Sequence, residues 1–227
     1  MIKADLHIHT AYSPDSNTPL ERIITRCLEI GINCIAITDH NTIAGALEMK
    51  RLAPFGRQVE PSLRLKVIVG EEIQTLTGEI IGYFLSEEVP RGLPAEEAAY
   101  RIKEQGGAVC IPHPFDSFRS SALRRQSLEA LVPYIDIIEV FNSRLLLPRQ
   151  NAMAHRFAQA HGLLSSAGSD AHTSFEIGNT YVEMPEFNDK GQFLLALAKG
   201  DVVGRRANPW VHLWSNWARL EKYLRGR

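Results

Sequence analysis

The sequence has 227 residues, 44% of them hydrophobic and 22% charged, which fits one domain whose core needs no disulfide or metal merely to hold it together. Lys and Arg number 25 against 26 Asp and Glu, and the net charge of -1 excludes a global positive field that would hold a long nucleic acid.

Short apolar runs alternate along the chain with longer stretches of helical periodicity, a pattern typical of βαβ units around a parallel sheet. Strands are predicted at residues 4–9, 34–38, 66–74, 80–85, 108–112, 135–141 and 163–167, with a further one at 179–184. Helices are predicted at residues 20–30, 94–105 and 149–160, because glycine, which commonly ends a helix, follows each of them. The sequence therefore predicts the α/β class.

The composition changes near the C terminus, where Trp210, Trp214 and Trp217 are interspersed with basic residues. This spacing predicts a helix that packs on the domain with its basic face in solvent. Helices that lie on a membrane surface or bind a partner show the same pattern, and that alternative stays open. We divide the chain into a main domain at residues 1–209 and a C-terminal helix at residues 210–227.

The cysteines and the N-terminal residues indicate the cellular compartment of the protein. Cys27, Cys34 and Cys110 stand singly in apolar runs, so we expect neither disulfides nor a thiolate metal site. The N-terminal residues lack the apolar stretch of a signal peptide, and no apolar run approaches about 18 residues. We therefore expect a cytoplasmic protein without a transmembrane segment. The sequence carries no signal for a particular oligomeric state.

Five of the eight histidines lie at the carboxyl ends of predicted strands or just after them. They are His7, His9, His40, His113 and His172. In α/β sheets and barrels this edge collects functional side chains, because a rigid sheet supports the loops there. A single histidine at such a place is more often structural, but five of them, each near a carboxylate, favour a metal site.

The residue types at these strand ends indicate which metals would bind. His7 and His9 are two apart on one strand, so both side chains point to the same face and can approach one ion. Imidazole mixed with carboxylate, and without thiolate, suits manganese, iron or zinc better than calcium or magnesium. This many ligands predicts more than one ion.

Five short motifs mark the strand ends: DLHIHT at residues 5–10, TDH at 38–40, GEE at 70–72, HPF at 113–115 and GSDAH at 168–172. In this order they resemble the PHP (polymerase and histidinol phosphatase) family of metal-dependent phosphoesterases. The resemblance covers most of the chain and implies a single-domain, distorted (β/α)7 TIM-like barrel at residues 1–209. It also implies two or three divalent ions, Mn, Fe or Zn, at the carboxyl ends of the strands.

The same resemblance assigns the metal ligands residue by residue. They are His7, His9 and Asp170 for a first ion; Glu72, which would bridge to the first ion, and His113 for a second; and Asp15, His40 and His172 for a third. Spacing alone does not choose between Glu71 and Glu72 for the bridge, and the family pattern favours Glu72.

One ligand position departs from the family pattern. Many relatives carry a histidine a few residues after the bridging glutamate, whereas this chain has Glu79. A carboxylate can replace imidazole on such an ion, so we expect Glu79 to bind the second metal and to shift its preference toward manganese or iron. The alternative is that Glu79 is a solvated turn residue and that the second ion is weakly held.

Other polar residues at the strand ends are expected to support the ligands. Asp5 and Asp39 are predicted to orient neighbouring imidazoles. Glu139 and Asn142 end a buried strand and are predicted to contact the ligands from behind, a core role for Glu139 being the alternative.

Substrate contacts are assigned to two arginines, and proton transfer to two of the metal ligands. Arg119 and Arg144, in loops at the same edge, are predicted to bind a substrate phosphate, although a single arginine there is more often a surface cation. Asp170 or His172 is expected to be catalytic and to supply, through water, the proton for the leaving group.

The leading hypothesis is a metal-dependent phosphatase that hydrolyses a nucleotide or sugar phosphate through a hydroxide bridging two ions. The chain lacks the inserted domain that covers the site in some relatives, so we expect an open barrel mouth. One alternative is a phosphodiesterase or exonuclease on nucleic acid ends, a partner that is not favoured, with Arg124, Arg125 and residues 210–219 as its basic surface. The others are a metal-dependent carboxyl-ester hydrolase and a non-catalytic metal-binding module.

Overall fold

Nine strands form one continuous sheet and seven helices accompany it in the computed structural model, which describes residues 1–54, 60 and 63–225. The strands are β1 (Ile2–Ile8), β2 (Cys34–Ile37), β3 (Lys66–Gln74), β4 (Glu79–Tyr83), β5 (Ala108–Ile111), β6 (Ile137–Asn142), β7 (Leu164–Gly168), β8 (Thr180–Met184) and β9 (Asp201–Gly204). The helices are α1 (Leu20–Ile30), α2 (Ala44–Leu52), α3 (Ala95–Glu104), α4 (Arg125–Leu131), α5 (Pro148–His161), α6 (Lys190–Leu197) and α7 (Val211–Arg225).

The predicted elements are found close to their expected positions. α1 occupies the predicted residues, because Leu20, Ile23 and Cys27 form one buried stripe and Gly31, with a φ of 74°, ends the helix. β3 coincides with its prediction, and the other predicted strands agree to within two residues at each end. Helices α2, α4 and α6 and strand β9 were not predicted.

The strand order is β7-β6-β5-β4-β3-β2-β1-β8-β9. β1, β2 and β3 run parallel, as do β5, β6 and β7, whereas β4 is antiparallel to both of its neighbours. Only residues 75–78 separate β3 from β4, too few for a crossover helix, so the chain makes a hairpin there. The βαβ alternation is broken at this point, and the barrel is distorted.

The barrel nearly closes between β1 and β7. Ile8 forms an isolated parallel bridge with Ala171, and the N–H of His9 donates to the Ala171 carbonyl at 2.9 Å. The carboxylate of Asp5 crosses the same seam and accepts from the N–H groups of Ser169 at 2.8 Å and Gly178 at 3.1 Å. The expected α/β barrel is therefore confirmed.

Two apolar layers support the polar end of the barrel. One lies inside the barrel, where the hydroxyl of Tyr83 donates to the carbonyl of Leu6 at 2.8 Å and α6 contributes Phe193. The other lies between the strands and the helices and includes Ile35 and Ile102. Both layers leave the carboxyl ends of the strands to polar side chains, and there the backbone is held rigidly.

α7 lies at the carboxyl end of the barrel. The ammonium of Lys222 donates to the carbonyls of Ala11 at 2.7 Å, Ser13 at 2.5 Å and Ser16 at 2.7 Å, all in the loop after β1. Neither α7 nor any other helix of the described residues is long and apolar enough to cross a membrane.

Candidate metal centre

The nine predicted metal ligands meet at the carboxyl end of the barrel. Their ligand atoms form four overlapping groups, and within each group all atoms lie within 4.8 Å of one another. The groups are His9, Asp15, His40 and His172; His7, Glu72 and His113; His7, His9 and Asp170; and His40, Glu72 and Glu79. The strands fix the backbone of these residues while their side chains converge.

Glu72 lies at the centre of the nine ligands. Its Oε2 is 3.4 Å from Nε2 of His7 and 3.3 Å from both Nε2 of His9 and Nδ1 of His40. Its Oε1 is 3.0 Å from Nε2 of His113. One carboxylate thus faces imidazoles from three strand ends, as a ligand shared between ions would.

We call His7, His113 and Asp170 the inner end of the centre, since all three are fully buried. Oε1 of Glu139 is 3.0 Å from Nδ1 of His7, and its Oε2 accepts from the N–H of His113 at 2.8 Å. The amide of Asn142 donates to Glu139 at 2.9 Å and to Asp170 at 3.2 Å. With Nδ1 of His7 donating to Glu139, Nε2 keeps its lone pair for a metal.

A bulge in β6 explains how Glu139 and Asn142 both face the inner end. Strict alternation would place residues three apart on opposite faces of the sheet. The register between β6 and β7 shifts between Glu139 and Phe141, which inserts one residue and turns Asn142 to the same side as Glu139.

We call Asp15, His40 and His172 the outer end. Oδ2 of Asp15 is 3.2 Å from Nε2 of His40 and 3.3 Å from Nε2 of His172. The hydroxyl of Ser13 donates to Oδ1 of Asp15 at 2.9 Å. His40 is the most accessible of the nine ligands, with 12% of its side chain exposed. The outer end is therefore the part of the centre that faces the opening.

His172 is held by two residues behind it. Nη1 of Arg144 contacts Nδ1 of His172 and donates to the Asp170 carbonyl at 3.2 Å. Glu176 accepts from the N–H of His172 at 3.1 Å and lies 3.6 Å from Nε of Arg144. Arg144, predicted to bind a phosphate, is buried and donates also to Ser215 of α7 at 2.8 Å. These contacts hold its guanidinium behind His172, and the side chain also lines the cavity above the ligands, so the phosphate contact stays a prediction.

Arg119 reaches the inner end from the loop after β5. Its Nη2 is 2.7 Å from Oδ2 of Asp170, and its Nη1 is 2.9 Å from Nε2 of His113. The side chain is partly exposed and also lines the cavity above the ligands. Its guanidinium therefore lies between the ligands and the space where a substrate would enter.

The three glutamates near the ligands have different surroundings. Glu71 points away from Glu72, as alternation requires, and accepts from the N–H of Val89 at 2.9 Å. Glu79 is 4% exposed and accepts from the hydroxyl of Ser121 at 2.6 Å. Glu79 is therefore not a solvated turn residue.

Asp5 and Asp39 were expected to orient imidazoles, and their contacts are different. A register shift in β1 between Asp5 and Ile8 changes the alternation, and the Asp5 carboxylate lies on the seam to β7. Asp39 accepts from the N–H and the hydroxyl of Thr10 at 2.6 and 2.7 Å. Both carboxylates fix the backbone that carries the ligands.

Burial and neighbouring charges set the protonation of Asp170 and His172. Burial would raise the pKa of Asp170, but Arg119 and His7 hold that pKa well below its ordinary value. Burial and then Arg144 lower the pKa of His172 to about 3, so its imidazole is neutral at pH 7. An ionised carboxylate and a neutral imidazole are the forms that bind metals. The proton-donor role expected of these two residues stays a prediction.

Two features of the inner end fit a bound divalent cation. Oδ1 of Asp170 is buried without a hydrogen-bond partner, 3.3 Å from Nε2 of His9 and 3.7 Å from Nε2 of His7. Such an oxygen is costly unless a cation binds it. Asp170 and His113 also have φ angles of 53° and 31°, a strained backbone typical of functional sites. With their mixed nitrogen and oxygen donors, these residues fit manganese, iron or zinc.

A cavity of about 690 Å³ lies above the outer end. Asp15, His40 and His172 form part of its wall, and Arg119 lines it from the loop after β5. Four residues of α7 complete the wall: His212, Ser215, Asn216 and Arg219. α7 therefore covers part of the barrel mouth, which was expected to be open.

α7 packs on the barrel end through its polar side and not through its tryptophans. Arg219 places its Nη2 2.9 Å from Oδ2 of Asp15. Trp210, Trp214 and Trp217 are 69, 62 and 61% exposed. The basic side chains are still largely solvated, since Arg219 and Arg225 are 63 and 78% exposed. The difference from expectation is the exposure of the tryptophans, because the carboxyl end of the barrel is polar and binds the polar side of the helix.

Three residues near the ligands were missed by sequence reasoning: Ser121, Glu176 and Arg219. Glu176 follows His172 by four residues in the same loop, and that proximity is a usable signal. Ser121 and Arg219 carry no such signal, since their positions depend on how a loop and α7 fold over the barrel end.

Comparisons with known proteins agree with this geometry. The family model described as PHP domain matches residues 5–222. A Methanocaldococcus jannaschii protein described as uncharacterized is 35% identical over 190 residues, which cover 82% of this chain and 72% of that protein.

Two solved structures share the fold. A two-domain Bacteroides vulgatus protein that contains a predicted PHP-like metal-dependent phosphoesterase has a TM-score of 0.70 at 19% identity, over 90% of this chain and 65% of that chain. PsfC from Pseudomonas syringae has a TM-score of 0.70 at 17% identity, over 97% of this chain and 98% of that chain. The chain belongs to the PHP domain family and has the fold of its metal-dependent phosphoesterases.

Proposed function

We propose that this protein is a metal-dependent phosphatase that hydrolyses a small phosphate monoester, such as a nucleotide or a sugar phosphate. The observation that carries the proposal is the cluster of nine ligands, with Glu72 at its centre, beneath a cavity lined by arginine. We assign two or three divalent ions, Mn, Fe or Zn, to this centre. Bound there, they would supply a water of lowered pKa and positive charge beside the phosphoryl oxygens.

The residues of this chain would do the rest of the work by binding and orientation. Arg119 lines the cavity and would donate to the phosphoryl oxygens, as suits a planar guanidinium. Its Nη1 and Nη2 contact His113 and Asp170, and these contacts would be released where ions bind the two ligands. Glu139 and Asn142 would keep His7 and Asp170 in place. Since Asp170 and His172 are both in their ligand forms, we assign the leaving-group proton to water in the cavity.

The covered mouth favours a small substrate over a nucleic acid chain. α7 crosses the barrel end, and the cavity of about 690 Å³ is of the size usual for small ligands. The exposed tryptophans do not line this cavity; Trp214 and Trp217 line a separate pocket of about 300 Å³ that includes His172. Neither Arg124 nor Arg125 lines the cavity. A single strand stacked on the tryptophans would therefore lie outside the cavity.

The test is phosphate release by the manganese-loaded protein from a panel of nucleoside and sugar monophosphates, with bis-p-nitrophenyl phosphate as the diester. We expect release from monoesters, abolished in His40→Ala and unchanged in His161→Ala, whose imidazole lies far from the ligands beside Glu129. Cleavage of the diester alone would instead support a phosphodiesterase. No cleavage of either ester, with metal bound, would reject the proposal.

A cytoplasmic location stays a prediction. All three cysteines are buried and free in the structure, as they would be in a reducing compartment. Localisation of the tagged protein by cell fractionation would test it.

A further inference from the structure

We propose that Arg219, presented by α7, binds a second anionic group of the substrate, so that this protein selects small phosphate monoesters that carry another negative charge. The inference rests on the proposed function and adds the substrate class. Its basis is the way α7 closes the cavity.

The position of α7 over the cavity is fixed by bonds to two loops of the barrel end, the one after β1 and the one after β6. Lys222 donates to three carbonyls of the loop after β1. Asn17 donates to Glu221 at 2.7 Å. Ser215 accepts from Arg144, whose carbonyl is 3.2 Å from Nε2 of His212. The side chains between these anchors therefore face the ligands in a set geometry.

Four polar residues on one side of α7 line the cavity at intervals of three, one and three residues. They are His212, Ser215, Asn216 and Arg219. This spacing places them on neighbouring turns of one helix face. Arg219 is the one permanently charged group among them, and 63% of its side chain remains exposed. It is therefore the member of this face best suited to bind an anion.

The two accessible arginines of the cavity lie at different ends of the metal centre. Arg119 contacts Asp170 and His113 at the inner end, whereas Arg219 contacts Asp15 at the outer end. A single phosphoryl group at the inner end would satisfy Arg119 and leave Arg219 without an anionic partner from the substrate. A carboxylate or second phosphate a few atoms away would engage Arg219, because a guanidinium binds both in the same forked geometry.

The test measures binding of anions that the protein cannot hydrolyse, since their C–P bond replaces the ester. Phosphonoacetate and 3-phosphonopropionate carry a carboxylate, and ethylphosphonate and propylphosphonate are their neutral-ended controls. Titration calorimetry with the manganese-loaded protein gives the affinity ratio within each pair. We expect at least one carboxylated ligand to bind about tenfold or more tightly than its control, a ratio typical of one added charge-assisted contact.

Arg219→Ala should reduce that ratio to near one and leave the affinity of the control phosphonate within about twofold. Arg219→Lys should keep part of the ratio. Arg225→Ala removes the same charge from the same helix, where Arg225 pairs with Glu221, and should keep the full ratio. A general disturbance of α7 or of metal binding would weaken the binding of all four phosphonates together. The affinity ratio within each pair would then stay the same.

Three outcomes would overturn the inference: a ratio near one in the native protein, a ratio that survives Arg219→Ala, or no measurable binding of either carboxylated phosphonate. Its failure is distinct from failure of the proposed function. A ratio that depends on Arg219, found in a protein that releases phosphate from no monoester, would support the anion site and reject the phosphatase.

Discussion

The inner and outer ends of the metal centre are held by different parts of the molecule. Glu139 and Asn142, both at the end of β6, fix the inner ligands within a fully buried network. The outer ligands depend on loops and on α7, through Ser13 and Arg219 at Asp15. The sheet therefore holds the inner ligands in place, while loops and α7 border the opening at the outer ligands. A change in α7 should leave the inner ligands in place.

Removing the carboxylate that joins the two ends should have the largest effect. In Glu72→Gln, four imidazoles lose their shared anionic partner, and a broken buried charge contact costs about 3–5 kcal/mol. We expect manganese affinity to fall about 10³-fold at both ends, as measured by titration calorimetry. Glu183→Gln, at an exposed carboxylate beside Lys3, is the control. A loss below tenfold would show that Glu72 is not shared.

Glu71 is a buried carboxylate that belongs to neither end of the metal centre, and it shows what burial alone does to stability. Burial raises the pKa of Glu71 from 4.5 to about 7, so the folded state holds a proton that the unfolded state releases. Stability is then greatest below pH 4.5 with respect to this group and falls as the pH rises to 7. Glu71→Gln keeps an acceptor for Val89 and should be more stable than the native protein at pH 8 by up to about 3 kcal/mol.

The measurement is urea denaturation of both proteins from pH 5 to pH 8 with a chelator present. The difference in free energy of unfolding between them should grow with pH and level off above pH 7. A difference that is constant with pH would mean that Glu71 keeps an ordinary pKa. The native and variant proteins share all other titrating groups, so these cancel in the comparison.

Loosening the inner end alone should have a smaller and selective effect. Glu139→Gln keeps the size of the side chain but removes the carboxylate that accepts from Nδ1 of His7. Loss of such a partner typically weakens metal binding about 10–100-fold. We expect this loss for the most tightly bound ion, with the others unchanged, in a manganese titration. Glu129→Gln, at an exposed glutamate, should change nothing. Equal weakening of all ions would contradict the division into two ends.

Loosening α7 should have the smallest effect. Ser215→Ala removes the acceptor for Arg144 and costs about 1 kcal/mol of helix attachment. Hydrogen exchange of the α7 amides should become about fivefold faster, while the amides of β1 and β6 stay protected. Faster exchange in the strands as well would show that α7 stabilises the barrel rather than covering it.

The barrel and its ligands were predictable because both depend on local patterns. Apolar runs marked the strands, and motifs at their carboxyl ends marked ligands such as His7, His113 and Asp170. Chain order alone then places those ends at one edge of a sheet. The hairpin at β4 was also readable, since four residues cannot carry a crossover helix.

Features that depend on contacts between distant segments were not predictable. A register shift in β1 takes the Asp5 carboxylate away from the imidazole that it was expected to orient. Glu139 and Asn142 were expected at the ligands, but the bulge in β6 that turns both to the same side was not. The contacts of Arg144 with Glu176 and α7 were not visible in the sequence either, and its role as a substrate contact stays a prediction. A tryptophan stripe usually predicts the buried face of a helix. In α7 the tryptophans are exposed, because the barrel end on which the helix packs is polar.

The placement of the three tryptophans has a practical consequence for spectroscopy. The sequence contains three in all, and each lies in α7 or directly before it, more than half exposed. Intrinsic tryptophan fluorescence therefore reports on this one segment and carries no direct signal from the barrel. Emission that changes on adding an anion would register movement of α7 over the cavity. An unfolding curve followed by fluorescence would record detachment of the helix, and circular dichroism is needed to follow the barrel.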